Sequence, residues 1–260
     1  MCIFKLIEWT SLSPLLHDRS RFGIAVVDEY IYIWGGFEGF KRSNRVYLSS
    51  IDRYSIVNDK WEQYCADGPM MSSMASCSHN NLIYFGGGKN TNWSKISDFY
   101  TIDVGTKKIT KKSNMLSPRT THQLTYLNDY IYVIGGFDDT GNGILTIESY
   151  DIKLDQWSIV TQAPGLLSKT WPQCLGVLNN KFYISVFHTP NTFKIMQKGY
   201  YYDLSTNVWS EAPVINERAR YCPTCCLAFP RKIKNIINLN DNDLINEKNQ
   251  NNVNKICCTK

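Results

Sequence analysis

The chain has 260 residues, of which 43% are hydrophobic and 13% aromatic, enough to bury a core as one all-β domain or two smaller domains. Its formal net charge of +5 comes without a lysine- and arginine-rich run, so we predict no nucleic-acid partner. Residues 1–9 lack the apolar run of a signal peptide and no segment reaches about eighteen apolar residues, which predicts a cytoplasmic protein without a membrane partner.

One pattern recurs four times along the chain, at a spacing of about fifty residues. Each copy has an apolar run, and a polar pair begins seven residues before the position where the first three runs reach Gly-Gly. The runs are Ile31-Tyr-Ile-Trp-Gly-Gly-Phe37, Ile83-Tyr-Phe-Gly-Gly-Gly88, Ile131-Tyr-Val-Ile-Gly-Gly-Phe137 and the degenerate Phe182-Tyr-Ile-Ser-Val-Phe187. The pairs are Asp28-Glu29, Asn80-Asn81, Asn128-Asp129 and Asn179-Asn180. A period of this length predicts a solenoid or a propeller.

The third copy shows the strands of one repeat most clearly. Asn128-Asp129 predicts a tight hairpin turn, because Asn and Asp tolerate the left-handed backbone that such turns require. Gly135-Gly136 ends the following apolar strand and allows neighbouring backbones to approach closely. The predicted strands are residues 120–127, 130–134, 146–152 and 156–160. Four short antiparallel strands per repeat are the content of one propeller blade.

A tyrosine and a tryptophan recur seven residues apart in three of the copies, while the second copy has Tyr100 followed by Lys107. Their large apolar area suits packing within a blade or against the next one. We therefore predict that these aromatics and the glycines are scaffold residues. The set is Gly35, Gly36, Tyr54, Trp61, Gly87, Gly88, Tyr100, Gly135, Gly136, Tyr150, Trp157, Tyr202 and Trp209.

The hairpin turn, Gly-Gly, tyrosine and tryptophan in register resemble the Kelch-repeat family, over about residues 9–229. The resemblance implies an all-β, Kelch-type β-propeller with four complete four-stranded blades. They fall at about residues 19–65, 72–112, 119–161 and 170–213. We expect looser packing in the second blade, which lacks its tryptophan, and in the fourth, which lacks its glycines.

The two ends of the repeat region do not complete a ring. Residues 3–12 have the pattern of a final strand, and residues 218–229 have that of a first strand, so residues 1–229 predict an incomplete propeller. We expect a truncated form, an incomplete gene model or a decayed copy of a longer protein. Residues 230–260 are rich in Asn and Lys and have no aromatic residue, which predicts a disordered tail.

Strand direction places the variable second turns of the blades and the linkers between blades on one face. Arginines and tryptophans on such a face suit capture of a protein or peptide ligand that carries carboxylates. The alternative is a solvated rim that binds nothing. The predicted partner-binding residues are Arg19, Arg21, Arg42, Arg45, Trp93, Arg119, Trp171, Arg218 and Arg220.

No arrangement in the sequence predicts catalysis, a metal site or a cofactor. The four histidines lie at unrelated offsets in different repeats and assemble neither a ligand set nor a nucleophile–base pair. The nine cysteines are scattered, which is typical of free thiols. Cys222-Pro-Thr-Cys225-Cys226 lies in a predicted strand without a histidine nearby, which disfavours zinc.

The spacing of the repeats and the C-terminal strand are most similar to the Kelch region of BTB–Kelch proteins, which recruit substrates to cullin-type ubiquitin ligases. The resemblance implies a non-catalytic protein-interaction module, the substrate-recognition part of such an adaptor, here without BTB and BACK regions. The alternative is a cytoskeletal or viral Kelch protein that binds actin or a host factor, and a propeller enzyme is the least favoured. BTB-like sequence upstream would favour the adaptor.

Overall fold

A computed structural model describes residues 11–39, 41, 44–164, 170–188 and 196–212, all within the unit Met1–Cys226. Most of the predicted strand at 3–12, the whole strand at 218–229 and the tail at 230–260 lie outside these residues. The described part is almost wholly β and contains no helix long and apolar enough to cross a membrane.

Four antiparallel sheets of four strands each follow one another along the chain, and we call them blades 1 to 4. Blade 1 contains β1 (Gly23–Val27), β2 (Tyr30–Trp34), β5 (Ile51–Ser55) and β6 (Lys60–Cys65), with the small hairpin of β3 (Phe37–Glu38) and β4 (Val46–Tyr47) inserted after β2. Blade 2 contains β7 (Ala75–His79), β8 (Leu82–Gly86), β9 (Phe99–Asp103) and β10 (Lys108–Lys112). Blade 3 contains β11 (Gln123–Leu127), β12 (Tyr130–Ile134), β13 (Thr146–Asp151) and β14 (Gln156–Gln162). Blade 4 contains β15 (Thr170–Leu178), β16 (Lys181–His188), β17 (Met196–Asp203) and β18 (Val208–Ala212).

The first strand of each blade packs beside the first strand of the next, as the inner strands of a propeller do. On β7, the hydroxyls of Ser76 and Ser78 donate to backbone carbonyls of β1, at 2.6 and 2.7 Å. Among the described residues, blade 4 does not pack on blade 1, so the ring is not closed. The predicted fold, an all-β propeller of four four-stranded blades with an incomplete ring, is confirmed.

The turn between the first two strands of every blade uses the left-handed backbone. Each turn begins with Asp or Asn at a φ near +50°, a conformation that these short polar side chains tolerate and that matches the twist of a hairpin. The residues are Asp28, Asn80, Asn128 and Asn179. The polar pairs of the sequence therefore place the hairpins.

The main hydrophobic cores lie between neighbouring blades. Trp34 of blade 1 meets Phe85 of blade 2 edge-on, with ring centroids 5.0 Å apart. Phe99 of blade 2 meets Tyr150 of blade 3 at 4.9 Å, and both side chains are fully buried. Because blades 2 and 3 each supply one wall of two cores, the burial of apolar area couples the four blades in a row.

The repeated tyrosine and tryptophan fasten the outer hairpin of a blade to the preceding one. In blade 3, Tyr150 donates to the carboxylate of Asp155 at 2.7 Å. That carboxylate accepts the backbone N–H of Ser113, which follows the last strand of blade 2, and Trp157 donates to the carbonyl of the same serine. Blade 1 repeats the arrangement with Tyr54, Asp59 and Trp61 on Ser13.

Blade 2 lacks this fastening, and the strand register shows where its residues changed. Ile102 pairs with Ile109 across β9 and β10, at the positions that Tyr150 and Trp157 hold in blade 3. The prediction that Tyr100 is the motif tyrosine of blade 2 is wrong, because Tyr100 lies two residues earlier on β9. A spacing of seven residues fits either pair, so spacing alone does not choose the register.

Left-handed glycines end the second strand where the next linker crosses it. Gly35 has a φ of +60°, and a Cβ there would lie 2.6 Å from the carbonyl oxygen of Met71. Gly87 has a φ of +65° and lies under the ring of His122, whose Cε1 a Cβ would approach to 2.4 Å. Only glycine fits such a backbone and such a contact at once.

Tyr150→Phe tests the fastening between blades, because it removes the hydroxyl bonded to Asp155 and keeps the buried ring. We expect a loss of about 1 kcal/mol in the free energy of unfolding, measured by urea denaturation. Tyr130→Phe is the matched control in the same blade, since Tyr130 is 37% exposed and makes no side-chain hydrogen bond recorded in the described chain. Equal losses from both variants would contradict the fastening role.

His122 makes the stability of the chain sensitive to acid. Burial, with the nearby Arg119 as a second cause, lowers the pKa of His122 from 6.5 to about 3, and its Nδ1 is buried without a hydrogen-bond partner. The unfolded chain therefore takes up a proton first, and the contribution of His122 to stability is lost as the pH falls from about 6.5 towards 3. His122→Met copies Met74, which holds the matching place above Gly35. We expect the wild type to lose more stability than this variant between pH 7 and pH 4.5, and parallel unfolding profiles would refute the assignment.

Candidate functional site

Two sets of connections lie on the same side of the blades because the strands alternate in direction. The loops after the second strands, at residues 35–50, 87–98 and 135–145, share this side with the linkers between blades. We call it the loop face. The opposite side, the turn face, carries the short hairpin turns of the described blades.

A group of cations surrounds one tryptophan on the loop face, where the loops of blades 1 and 2 meet. The charged groups of Arg45, Lys89 and Arg21 lie 4.2, 4.5 and 5.7 Å from the centre of the Trp93 indole. The Phe37 ring lies 5.9 Å from the same indole and forms the buried floor of the group. We call these five residues the Trp93 cluster. Cations over aromatic faces are stabilised by the ring quadrupole.

The loop that presents Trp93 is closed by Asn90. The Asn90 side-chain oxygen accepts the backbone N–H groups of Asn92 and Ser94, at 3.0 and 3.1 Å. Its backbone carbonyl accepts the N–H of Trp93 at 3.0 Å and the hydroxyl of Tyr47 at 3.2 Å. The loop of blade 2 is thereby tied both to itself and to the hairpin of blade 1, which holds the indole in place.

Blade 3 has the same loop with a different residue at its tip. There the Asp138 side chain accepts the N–H groups of Thr140 and Asn142, as Asn90 does in blade 2. The position of Trp93 corresponds to Gly141, and both have the left-handed backbone, with φ of +69° and +83°. A bulky residue in this conformation is strained, while glycine adopts it freely. Such strain is retained where the side chain is needed, which marks Trp93 as a functional candidate.

Arg45 combines stacking with unused hydrogen-bond donors. Its guanidinium lies 4.5 Å from the centre of Phe37 as well as against Trp93. Its Nε is buried without a hydrogen-bond partner. Among the described residues, neither Arg45 nor Arg21 takes part in an ion pair. The N–H edge of Arg45 is therefore available to an anion.

The prediction that Arg19 and Arg119 are partner-binding residues of this face is wrong, because neither side chain is exposed. Both guanidinium groups are fully buried, paired with Asp52 and Glu148 respectively. Arg119 also donates to the carbonyl of Gly135 at 3.1 Å. The repeat brings these two arginines under the glycine turns of blades 1 and 3, where they hold the loop in place instead of meeting a partner.

Burial disfavours the charged forms of Arg119 and Glu148, and the attraction between the two side chains offsets this desolvation penalty. Burial is the largest effect on both groups, raising the pKa of Glu148 and lowering that of Arg119, while each partner shifts the other back towards the charged form. Blade 2 replaces the charged pair with Met71 and Tyr100, which pack in one hydrophobic cluster. The same structural position thus accepts a charged or an apolar pair.

The remaining predicted site residues cannot be placed on the cluster. Arg42, Arg218 and Arg220 lie outside the described residues, and Trp171 lies on β15 in a part whose side chains are not described. Sequence reasoning brought Arg21, Arg45 and Trp93 to one face, and the structure gathers these three. The sequence interpretation did not include Lys89 and Phe37, although each directly follows the Gly-Gly position of its blade.

Comparison with known proteins identifies the family. The KLHDC2/KLHL20/DRC7 Kelch-repeats domain matches residues 21–232. The chain belongs to the Kelch-repeat family. Proteins of this family are generally non-catalytic protein-interaction modules. In the described part of this Kelch domain, no three His, Cys, Asp or Glu side chains group in a way that could hold a metal.

Three relatives show how far the similarity extends. Alpha-scruin of Limulus polyphemus is 26% identical over 137 residues, 50% of this chain and 15% of that protein. Kelch-like protein 7 of Rattus norvegicus is 24% identical over 211 residues, 62% of this chain and 35% of that protein. Kelch-like protein 36 of Rattus norvegicus is 24% identical over 232 residues, 86% of this chain and 36% of that protein. The Kelch domain therefore spans no more than 36% of the length of these relatives.

Arg119→Met should strongly destabilise the Kelch domain, because it leaves the carboxylate of Glu148 buried without its cation. We expect a loss of about 3–5 kcal/mol in the free energy of unfolding. Adding Glu148→Tyr reproduces the pair of blade 2, Met71 with Tyr100, and should restore most of the loss. Urea denaturation of the two single variants and the double variant forms a double-mutant cycle. Additive losses in the double variant would contradict a structural role for the pair.

Proposed function

We propose that the loop face captures an acidic segment of a partner protein, with Trp93 as its aromatic anchor. The observation that carries the proposal is the Trp93 cluster, in which three cations surround one indole at the junction of two blades. An aromatic ring beside arginines is typical of the residues that dominate protein interfaces. The strained backbone of Trp93 supports a role in binding, because the scaffold itself is served by glycine at this position.

We further propose that the Kelch domain is the substrate-recognition part of an adaptor for a cullin-type ubiquitin ligase, acting in the cytoplasm. The resemblance of its repeats to those of BTB–Kelch proteins supports this assignment, as do the matches to Kelch-like proteins 7 and 36. The second candidate partner is actin, which the match to alpha-scruin favours.

Replacing Arg21 and Arg45 together with alanine tests capture at the loop face. Both substitutions remove positive charge from the Trp93 cluster, so we expect partner recovery to fall about tenfold or more. Lys60→Ala with Lys108→Ala is the matched control, since both lysines are exposed at the turn face and are in no recorded ion pair of the described chain. The measurement is quantitative affinity purification of the full chain from cells. Equal recovery from the two double variants would mean that the loop face is only a solvated rim.

Trp93→Gly separates binding from folding in the same experiment. Glycine is the residue that blade 3 uses at this position, so the variant should melt close to the wild type while losing the partner. Partners that accumulate when the proteasome is inhibited would support the adaptor. Co-sedimentation of the purified chain with actin filaments, lost in Trp93→Gly, would support the actin candidate instead.

A further inference from the structure

We propose that the Trp93 cluster recognises a phosphorylated side chain of the partner, in preference to a carboxylate. This inference rests on the proposed function, since it names the chemical class of ligand that the same face takes. Three features of the molecule favour a phosphorylated ligand: the number of positive charges in the cluster, the position of Arg45, and the charge of the neighbouring blade.

The first feature is the concentration of positive charge around Trp93. Arg45, Lys89 and Arg21 all lie within 5.7 Å of the centre of one ring, so their charges repel one another. A ligand with more than one negative charge offsets this repulsion better than a singly charged carboxylate does. A phosphorylated side chain carries a charge of about −1.5 to −2 at neutral pH and three acceptor oxygens.

The second feature is the position of Arg45 against two aromatic rings. Its guanidinium carbon lies 4.5 Å from the centre of the Phe37 ring and 4.2 Å from that of the Trp93 indole, and these two centres are 5.9 Å apart, so the two rings lie on adjoining sides of the cation and do not enclose it. The buried Nε has no hydrogen-bond partner, which leaves an unsatisfied donor at the centre of the cluster. A guanidinium held against two aromatic rings keeps a planar set of N–H donors, which can form two parallel hydrogen bonds to a phosphate.

The third feature, the negative charge on the loop of blade 3, favours a phosphorylated protein over a nucleic acid. The corresponding loop of blade 3 carries Asp138 and Asp139, and Asp139 is exposed. Burying the backbone of a nucleic acid requires a positive groove that continues over several phosphates. Here positive charge at one blade junction is followed by negative charge on the next blade. A single phosphate within a peptide fits this pattern, and a phosphate chain does not.

Binding of three peptide pools to the purified full chain tests the inference. The pools share randomised flanks and differ only at a central phosphoserine, glutamate or serine. We expect phosphoserine peptides to be retained about tenfold better than glutamate peptides. Arg45→Lys keeps the positive charge but loses the planar guanidinium with its paired N–H donors, so it should remove this preference. Arg53→Lys is the matched control, because Arg53 is also stacked on two rings, those of Tyr30 and Tyr64, but lies on β5 away from the loop face.

The outcomes distinguish this inference from the proposed function. Loss of the phosphoserine preference in Arg45→Lys and in Trp93→Gly, but not in Arg53→Lys, would support it, with melting temperatures confirming that each variant is folded. Equal retention of glutamate and phosphoserine peptides would overturn it and leave capture of an acidic segment standing. Stronger competition by an oligothymidylate than by the phosphoserine peptides would overturn it in favour of nucleic acid. Failure of every pool, together with partner recovery that is insensitive to Arg21 and Arg45, would overturn both.

Discussion

The two linkers that join blades 1, 2 and 3 each pass close over the end of the preceding second strand, and this contact supports the rest of the described fold. In blade 1, Gly36 donates its N–H to the carbonyl of Met71 at 2.8 Å, and in blade 2, Gly88 donates to the carbonyl of Arg119 at 2.7 Å. These bonds close each blade before the chain enters the next one. A side chain at the first glycine would separate the two backbones, so the glycine turn sets how closely two blades approach.

Buried partners beneath these turns can be charged or apolar, provided that they match. Arg119 with Glu148 supports blade 3, while Met71 with Tyr100 holds the same place in blade 2. A buried ion pair and a well-packed apolar pair have similar net stability, because desolvation of the charges cancels much of their attraction. The blades can therefore differ in chemistry at this position without differing in fold. The linker arginines of blades 1 and 3 consequently belong to the scaffold, although an arginine in a linker looks like a surface residue in the sequence.

The candidate site contains a residue other than glycine in the left-handed conformation that glycine adopts in the matching loop. The loops of blades 2 and 3 share a hydrogen-bond pattern closed by Asn90 and Asp138, and both need a left-handed residue at the tip. Blade 3 meets the need with Gly141, whereas blade 2 places Trp93 there and surrounds it with cations. Scaffold and site thus lie at different positions: the glycine turns recur in blades 1 to 3 and the tyrosine–tryptophan pairs in blades 1, 3 and 4, while the Trp93 cluster lies at one junction only among the described residues.

The period, the hairpin turns and the blade architecture follow from the sequence alone, because they depend on local conformational preference. Asn128 and Gly135 show their role in any context, since a left-handed backbone excludes most other residues. The register of blade 2 became evident only from the fold. Two pairs of residues have the required spacing, and the burial of Ile102 shows that Ile102 with Ile109 occupies the motif positions. The fold also decided which arginines are available for binding. Arg21 and Arg119 both stand in linkers, but the side chain of Arg119 reaches a carboxylate on a strand that lies 29 residues away in sequence, and no local pattern encodes that meeting.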